Sequence, residues 1–158
     1  MDSVVSGGRQ NVTLSAQSLL GGGFQNSILS SSISAVIAGG GYNCVQAGAG
    51  YSSIAGGIAN TNGGVYSFMG GGAYNAIAPG AGSSGVLGGY LNVVQSNASG
   101  VVIGGGSYNT VSNDASFGAI LGGQFNRLSS GAQYSNVGGG RENSVGSSFS
   151  GEIGRAHV

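Results

Sequence analysis

Residues 101–111 read VVIGGGSYNTV, and this pattern of an aliphatic residue, a Gly-Gly pair and an Asn occurs nine times along the chain. We use the Asn of each copy as position 0 of the repeat and number the other positions from it. The reference residues are Asn11, Asn26, Asn43, Asn60, Asn75, Asn92, Asn109, Asn126 and Asn143, and consecutive residue numbers in this series differ by either 15 or 17. A short, regular period predicts a repeat architecture.

Two columns of the repeat are apolar. Position −6 is aliphatic or Met in every copy: Val5, Leu20, Ile37, Ile54, Met69, Val86, Ile103, Ile120 and Val137. Position +2 is aliphatic in seven copies, namely Ile28, Val45, Ile77, Val94, Val111, Leu128 and Val145, with Thr13 and Asn62 as the exceptions. We therefore predict that both columns face the interior.

The spacing predicts two short strands per repeat. One strand of about four residues ends at the glycines, a second starts at the Asn, and a Ser/Gly/Ala-rich segment returns to the next copy. A helix is excluded because glycine at this density costs about 1 kcal/mol per position. Coils stacked at about 4.8 Å pair every strand with its equivalents. The predicted fold is all-β: a parallel β-solenoid, or single-chain β-roll, of about nine coils of 15–17 residues and roughly 40 Å long.

The recurring Gly and Asn residues have structural explanations. A two-glycine corner at positions −4 and −3 can adopt positive φ and lets the next coil approach without a Cβ clash. An Asn after a tight turn can bond the backbone of its own turn, and asparagines one coil apart can bond each other. We interpret the nine asparagines as a structural ladder and not as a binding site.

Position −7 predicts an association surface. It is mostly apolar, although strand alternation points it outwards. Its residues are Val4, Leu19, Val36, Ser53, Phe68, Gly85, Val102, Ala119 and Asn136. An outward apolar row indicates an interface. We predict self-association in a closed ring and favour three copies, although the residues alone do not set that number.

The composition limits the classes of partner that the chain is expected to bind. The 158 residues include 36 Gly, and only 5% are charged, with four basic residues, all Arg, balancing four acidic ones. No basic run exists, so we expect no nucleic-acid partner. No apolar run approaches about 20 residues, so we expect no membrane insertion.

Few side chains could support catalysis. Outside the last seven residues there is no His, and the only acids are Asp2, Asp114 and Glu142. We therefore predict that the protein is not an enzyme and binds no cofactor or metal. Calcium-binding solenoids need an Asp in each repeat, which this chain lacks. The lone Cys44 is interpreted as a small packing residue.

The last seven residues have a different origin. Residues 152–158, EIGRAHV, read as the translation of a widely used sequencing adapter. We expect them not to be native and divide the chain into a repeat domain, 1–151, and read-through, 152–158. The chain is then expected to be a fragment, truncated at both ends and obtained from environmental DNA.

The motif in residues 101–111 resembles the head repeats of trimeric autotransporter adhesins and related tail-fibre repeats of phages and other viruses. The resemblance covers residues 4 to about 150 and implies a left-handed parallel β-roll in a homotrimer. It implies a structural or adhesive role on a virion tail fibre or a bacterial cell surface. The longer period and the double or triple glycines differ from the adhesin pattern and favour the viral branch.

Two functions remain open at this stage. The first is a fibre segment that assembles with itself and contacts a host-surface glycan or protein. The second is an ice-binding solenoid, which would need an outward Thr column, whereas only Thr13, Thr61 and Thr110 exist. Binding loops are expected where the repeat is interrupted, and the candidate residues are Asn62, Tyr66 and Pro79.

Overall fold

The computed structural model of the protein describes residues 2–152, with only the backbone of Glu152. The prediction about the adapter-like tail therefore concerns residues that lie almost entirely outside the described range. Within that range the chain contains no helix. Its regular structure is a parallel β-solenoid of about eight turns, so the predicted fold class is confirmed.

Two-residue strands alternate along the chain between two parallel sheets. The first sheet contains β1 (Val4–Val5), β3 (Leu19–Leu20), β5 (Val36–Ile37), β7 (Ser53–Ile54), β9 (Phe68–Met69), β11 (Gly85–Val86), β13 (Val102–Ile103), β15 (Ala119–Ile120), β17 (Asn136–Val137) and β19 (Gly151–Glu152). The second sheet contains β2 (Val12–Thr13), β4 (Ser27–Ile28), β6 (Cys44–Val45), β8 (Thr61–Asn62), β10 (Ala76–Ile77), β12 (Val93–Val94), β14 (Thr110–Val111), β16 (Arg127–Leu128) and β18 (Ser144–Val145).

Each strand pairs with the equivalent strand one coil away, in register. In the first sheet Val102 lies opposite Ala119 and Ile103 opposite Ile120. In the second sheet the same holds for every consecutive pair of even-numbered strands. Equal repeat positions are therefore stacked along the solenoid, so that a column in the sequence is also a column in space.

The strands are shorter than the sequence predicts. They contain two residues and not about four, and the second strand starts one residue after the Asn. The difference arises because the backbone bends at closely spaced corners of positive φ, at positions −3 and −1. A third parallel ladder, which the sequence did not predict, joins successive coils through single bridges at position −2, between these corners.

The two predicted inner columns are confirmed. From the second coil onwards, the side chains at positions −6 and +2 are 0% exposed, apart from Val145 at 5%. Burial of an aliphatic side chain of this size contributes about 1.5–3 kcal/mol. These columns supply the largest side chains of the core.

A third inner column depends on the length of the coil. We call the coils that start at Asn11 and Asn60 the short coils, because their next Asn follows at the smaller spacing, and those with the larger spacing the long coils. The third column lies at position +6 of the long coils, is 0% exposed and consists of Ser32, Ala49, Ala81, Ala98, Ala115 and Ala132. The short coils lack this inner position, and they are also the two coils whose position +2 is polar, Thr13 and Asn62.

The polar residue in a short coil bonds the tightened return. Asn62 donates from Nδ2 to the carbonyl of Ser67 at 3.2 Å and accepts at Oδ1 from the backbone N–H of Gly64, also at 3.2 Å. Thr13 bonds the side-chain hydroxyl of Ser18, which itself donates to the carbonyl of Ser15. The amide of Asn62 thus satisfies buried backbone groups that an aliphatic residue would leave unpaired, and Thr13 satisfies a buried hydroxyl.

Candidate functional site

The nine asparagines form a continuous hydrogen-bonded column inside the coil. The backbone N–H of each Asn donates to Oδ1 of the Asn one coil before, at 2.9–3.1 Å. Its Nδ2 donates to the position −4 carbonyl of its own coil, as in Asn92 to Gly88 at 3.1 Å. Nδ2 also donates to the position −3 carbonyl of the next coil, as in Asn92 to Gly106 at 3.0 Å.

Direct bonds between asparagine side chains are secondary. They occur at four steps, for example from Asn109 Nδ2 to Asn92 Oδ1 at 3.1 Å. The bond from backbone N–H to Oδ1 is present at every step. From Asn26 to Asn143 these residues are at most 3% exposed, so the column cannot contact a ligand at the surface.

The two glycines of each pair have different roles. The second, at position −3, has φ between 79° and 92° from the second coil to the eighth, and a Cβ there would overlap the position −3 carbonyl of the next coil. The first, at position −4, has no left-handed φ in five copies, where a Cβ would also meet no atom within 4 Å: Gly7, Gly39, Gly56, Gly88 and Gly122. The predicted Cβ clash therefore applies only to the second glycine. We call positions −3 and 0 together the Gly–Asn seam, whose asparagines are buried from the second coil onwards and whose glycines are mostly exposed.

The predicted binding-loop residues lie in different environments. Asn62 is 0% exposed and bonded within the coil, so its assignment to a binding loop is corrected to a structural role. Tyr66 is 65% exposed. Pro79 is exposed and lies beside Gly63 of the preceding coil.

The outward side of the first sheet is an uncharged and mostly apolar surface, with Ser6, Ser53 and Asn136 as its polar residues. We call positions −7 and −5 of all coils the outer apolar face. Its most exposed large side chains from the second coil onwards are Leu19, Phe68, Leu87, Val102 and Leu121, which are 41–63% exposed. Neither position holds a charged residue in any of the nine copies.

All the aromatic side chains lie on the outside of the solenoid. None of the seven Tyr and five Phe residues belongs to the buried core, and all but the half-buried Phe24 are exposed. One group occupies positions −2 and −1, which we call the aromatic corner: Phe24, Tyr42, Tyr74, Tyr90, Tyr108 and Phe125. Another group, which we call the second aromatic column, occupies position −9 of four copies and the equivalent place two residues before β19: Tyr51, Tyr66, Phe117, Tyr134 and Phe149.

The rings contact each other from coil to coil. In the second aromatic column the ring centroids of Tyr51 and Tyr66 are 5.1 Å apart and nearly parallel, and Tyr134 stacks on Phe117 and Phe149 at the same distance. The sequence signal for this column was the recurrence of an aromatic residue two positions before position −7.

Most of these aromatic residues have a strained backbone. Every residue at position −1 has φ between 51° and 58°, and from the second coil onwards the residues other than Gly at position −9 have φ between 53° and 58°. This left-handed conformation costs roughly 1–2 kcal/mol for a residue with a Cβ. It is maintained by backbone bonds such as that from Tyr108 N–H to the carbonyl of Tyr90 at 3.0 Å.

No known protein family model and no curated protein matches this chain.

Reactive and titratable groups are sparse among residues 2–152. They contain no group of three or more His, Cys, Asp or Glu side chains arranged to hold a metal ion. Cys44 is a half-buried free thiol at position +1. No helix long and apolar enough to cross a membrane occurs in the same range.

The threonines do not form a column. Thr13 lies at the inward position +2, whereas Thr61 and Thr110 lie at position +1 and are separated by two intervening coils. An ice-binding surface requires a regular outward array, and the second sheet does not present one.

Proposed function

We propose that the chain is a structural segment of a fibre or surface adhesin that assembles as a homotrimer through the outer apolar face. In this role the solenoid is a rigid scaffold on a virion tail fibre or a bacterial surface, and its outer corners are available to a host surface. The proposal assigns the chain no catalytic activity. The observation that carries it is the uncharged, apolar outward side of the first sheet.

The size of this surface favours assembly. Nine coils at about 4.8 Å and a width of five residues at about 3.3 Å, from the second aromatic column at position −9 across the outer apolar face to position −4, give a strip of about 700 Å². The largest apolar patch on a typical monomer is about 300–600 Å². A standard protein interface buries about 800 Å² on each partner. The strip that contains the outer apolar face is therefore close to the size that an interface requires.

A second copy of the chain is the partner that fits this surface. Two identical solenoids have the same coil spacing, so their rows can pack coil against coil along the whole length. A contact between different faces of each copy closes into a ring when the rotation from one copy to the next is a whole fraction of a turn. The number three comes from the resemblance to the heads of trimeric adhesins and tail fibres.

The first glycine of each pair adds support. At Gly88 the backbone does not require glycine, and a Cβ would point into open space. The same holds for four other copies, so the chain's own fold does not explain why these copies also have Gly at position −4. A closely packed neighbouring chain at the edge of the outer apolar face would explain it.

The test is the mass in solution of two matched variants. Leu121 and Leu14 are both 63% exposed, but Leu121 belongs to the outer apolar face and Leu14 follows the second sheet. The unmodified chain should have three times the 15.2 kDa chain mass by light scattering. Leu121→Lys should yield monomers, because it places a charge in the interface, while Leu14→Lys should remain trimeric.

Two outcomes would contradict the proposal. One is a monomeric unmodified chain at every concentration tested. The other is equal dissociation of both variants, which would place the contact elsewhere. Circular dichroism of both variants checks that the solenoid is still folded.

A further inference from the structure

Each coil places at most one large apolar side chain on the outer apolar face. Seven of the nine coils have a single Val, Leu or Phe at positions −7 and −5, and no coil has two. In two coils the large residue changes position, since Gly85 is followed by Leu87 and Ala119 by Leu121. The apolar bulk of these coils is therefore kept while its position varies.

The fold of one chain does not account for the small residue at position −7. A Cβ at Gly85 would meet only the carbonyl oxygen of Phe68, at 3.9 Å, which is an ordinary contact. At position −5, by contrast, the next coil does require glycine in three copies, Gly21, Gly70 and Gly104. A limited space in front of each coil, filled by one large side chain, explains the small residue at Gly85.

The width of the strip that contains the outer apolar face fits three copies around one axis. Three inward-facing strips, each about 16 Å wide, form a triangle whose sides lie roughly 5 Å from its centre. A Val or Leu side chain extends about that far, so one from each copy fills a layer at the close packing of protein interiors. Four strips would lie roughly 8 Å from the centre and leave it unfilled.

A ring of this kind brings opposite edges of the strip together. In a cyclic ring around an axis parallel to the solenoids, the strands of all copies run in the same direction around the axis. The position −4 edge of one copy therefore meets the position −9 edge of the next. Because a whole coil rises only about 4.8 Å, these two positions of one coil lie at nearly the same level. Equivalent coils of neighbouring copies therefore face each other.

The two edges have complementary shapes. Position −9 has a ring in four copies, the column continues at Phe149, and these five side chains are 48–80% exposed. Position −4 is Gly in every copy, and a Cβ at Gly56 or Gly122 would meet no atom within 4 Å. From the second coil onwards, no residue from position −9 to position −3 is charged. A ring of one copy can thus lie on the bare backbone of the next without burying a charge.

We propose that the second aromatic column of each copy packs on the position −4 glycines of the next copy, coil against equivalent coil, and closes the ring of three. Phe117 contacts Gly122 of the next copy, and Tyr51 contacts Gly56. This inference rests on the proposed homotrimer and names the residues that join its copies. The contact contributes to assembly and not to the folding of one chain, so the effect of a ring on folding is measured in the monomeric Leu121→Lys variant.

The first test is disulfide cross-linking in a Cys44→Ser background. Phe117→Cys and Gly122→Cys in one chain are separated by the width of the strip, which is too far for a disulfide within the chain. Between copies their Cα atoms should lie within about 7 Å, so mild oxidation should give a covalent trimer on a denaturing gel without reductant. The control pair is Phe117→Cys with Gly56→Cys, which are four coils apart and should not cross-link.

The second test is a bulky side chain at position −4. Gly122→Leu fills the space of the neighbouring ring and should raise the concentration for half-maximal assembly about tenfold. The matched control is Gly146→Leu. A Cβ at Gly146 would also meet no atom within 4 Å and its φ is not left-handed, but it follows the second sheet. This variant should assemble as the unmodified chain does.

The outcomes separate this contact from the proposed function. The contact is overturned, and the assembly kept, by a non-covalent trimer whose matched cysteine pair does not cross-link or cross-links no more than the control pair. A covalent dimer of Gly122→Cys alone, or normal assembly of Gly122→Leu, would also overturn it. A monomeric unmodified chain at every concentration would overturn both the contact and the proposed function.

Discussion

Gly88 and Gly89 are adjacent in sequence but differ in what surrounds their Cα atoms. A Cβ at Gly89 would overlap the backbone of the next coil, although Gly89 itself is exposed. A Cβ at the half-buried Gly88 would meet nothing within 4 Å. The Gly–Asn seam uses only glycine and asparagine in all nine coils, whereas the outer columns vary from Gly to Tyr. The fold is therefore specified by the contacts between successive coils, and the outer columns are free to carry binding surfaces.

The largest effect that would test this comparison comes from Gly89→Ala. The added methyl would overlap the backbone carbonyl of Gly106, and φ is 92°. We expect a loss of more than about 4 kcal/mol in the free energy of unfolding, or no folded protein. Gly88→Ala should change the stability of the monomer by no more than about 1 kcal/mol. Denaturant unfolding followed by circular dichroism gives both values, and equal effects would remove the distinction between the two glycines.

A smaller loss is expected from Asn92→Ala. The substitution removes the acceptor for the backbone N–H of Asn109 and the donor to the carbonyl of Gly88. Each unpaired buried group costs about 1–3 kcal/mol, so we expect about 3 kcal/mol in total. The exposed Asn113→Ala is the control and should remain within about 0.5 kcal/mol of the unmodified chain. A stable Asn92→Ala variant would show that the ladder does not hold the coils together.

Asn62→Leu tests whether a short coil needs a polar inner residue. Leucine is similar in size but cannot bond Gly64 or Ser67, so we expect a loss of about 1–3 kcal/mol. Val94→Asn makes the opposite change in a long coil and should also destabilise, since an amide there lacks the tightened return. Both variants are measured by thermal unfolding. A gain in stability in either one would contradict the expectation that short coils need a polar residue at position +2 and long coils an aliphatic one.

The smallest effect is expected at the surface, from Tyr134→Gly. The variant loses ring contacts with Phe117 and Phe149, worth about 0.5–1.5 kcal/mol each. It also relieves the left-handed strain of a residue with φ of 53°, which offsets roughly 1–2 kcal/mol of that loss. We expect a net change within about 1 kcal/mol by denaturant unfolding. A loss as large as that of Asn92→Ala would mean that the outer rings are part of the fold.

Several features of the structure could not be read from the sequence. The residues of the second aromatic column and the alanines at position +6 recur in the sequence. Their residue types alone do not predict whether they are buried or exposed, because small and aromatic residues in a return segment can be either. The left-handed backbone at Tyr42 and Tyr74 was not predictable, because bulky residues disfavour that conformation. It arises from closure of the coil, which sets the backbone at each corner whatever residue is present.

The sequence by itself determined the repeat, its parallel stacking and the residues of the two main inner columns. It could do so because a column of identical residues has a low-energy arrangement only when equivalent positions lie above one another. Only the tertiary structure decided which glycine of each pair is required, that Asn62 is buried, and that the rings of the second aromatic column contact each other from coil to coil. These features depend on contacts between neighbouring coils. Such contacts join residues that are far apart in the sequence, and they form only when the chain has closed each turn.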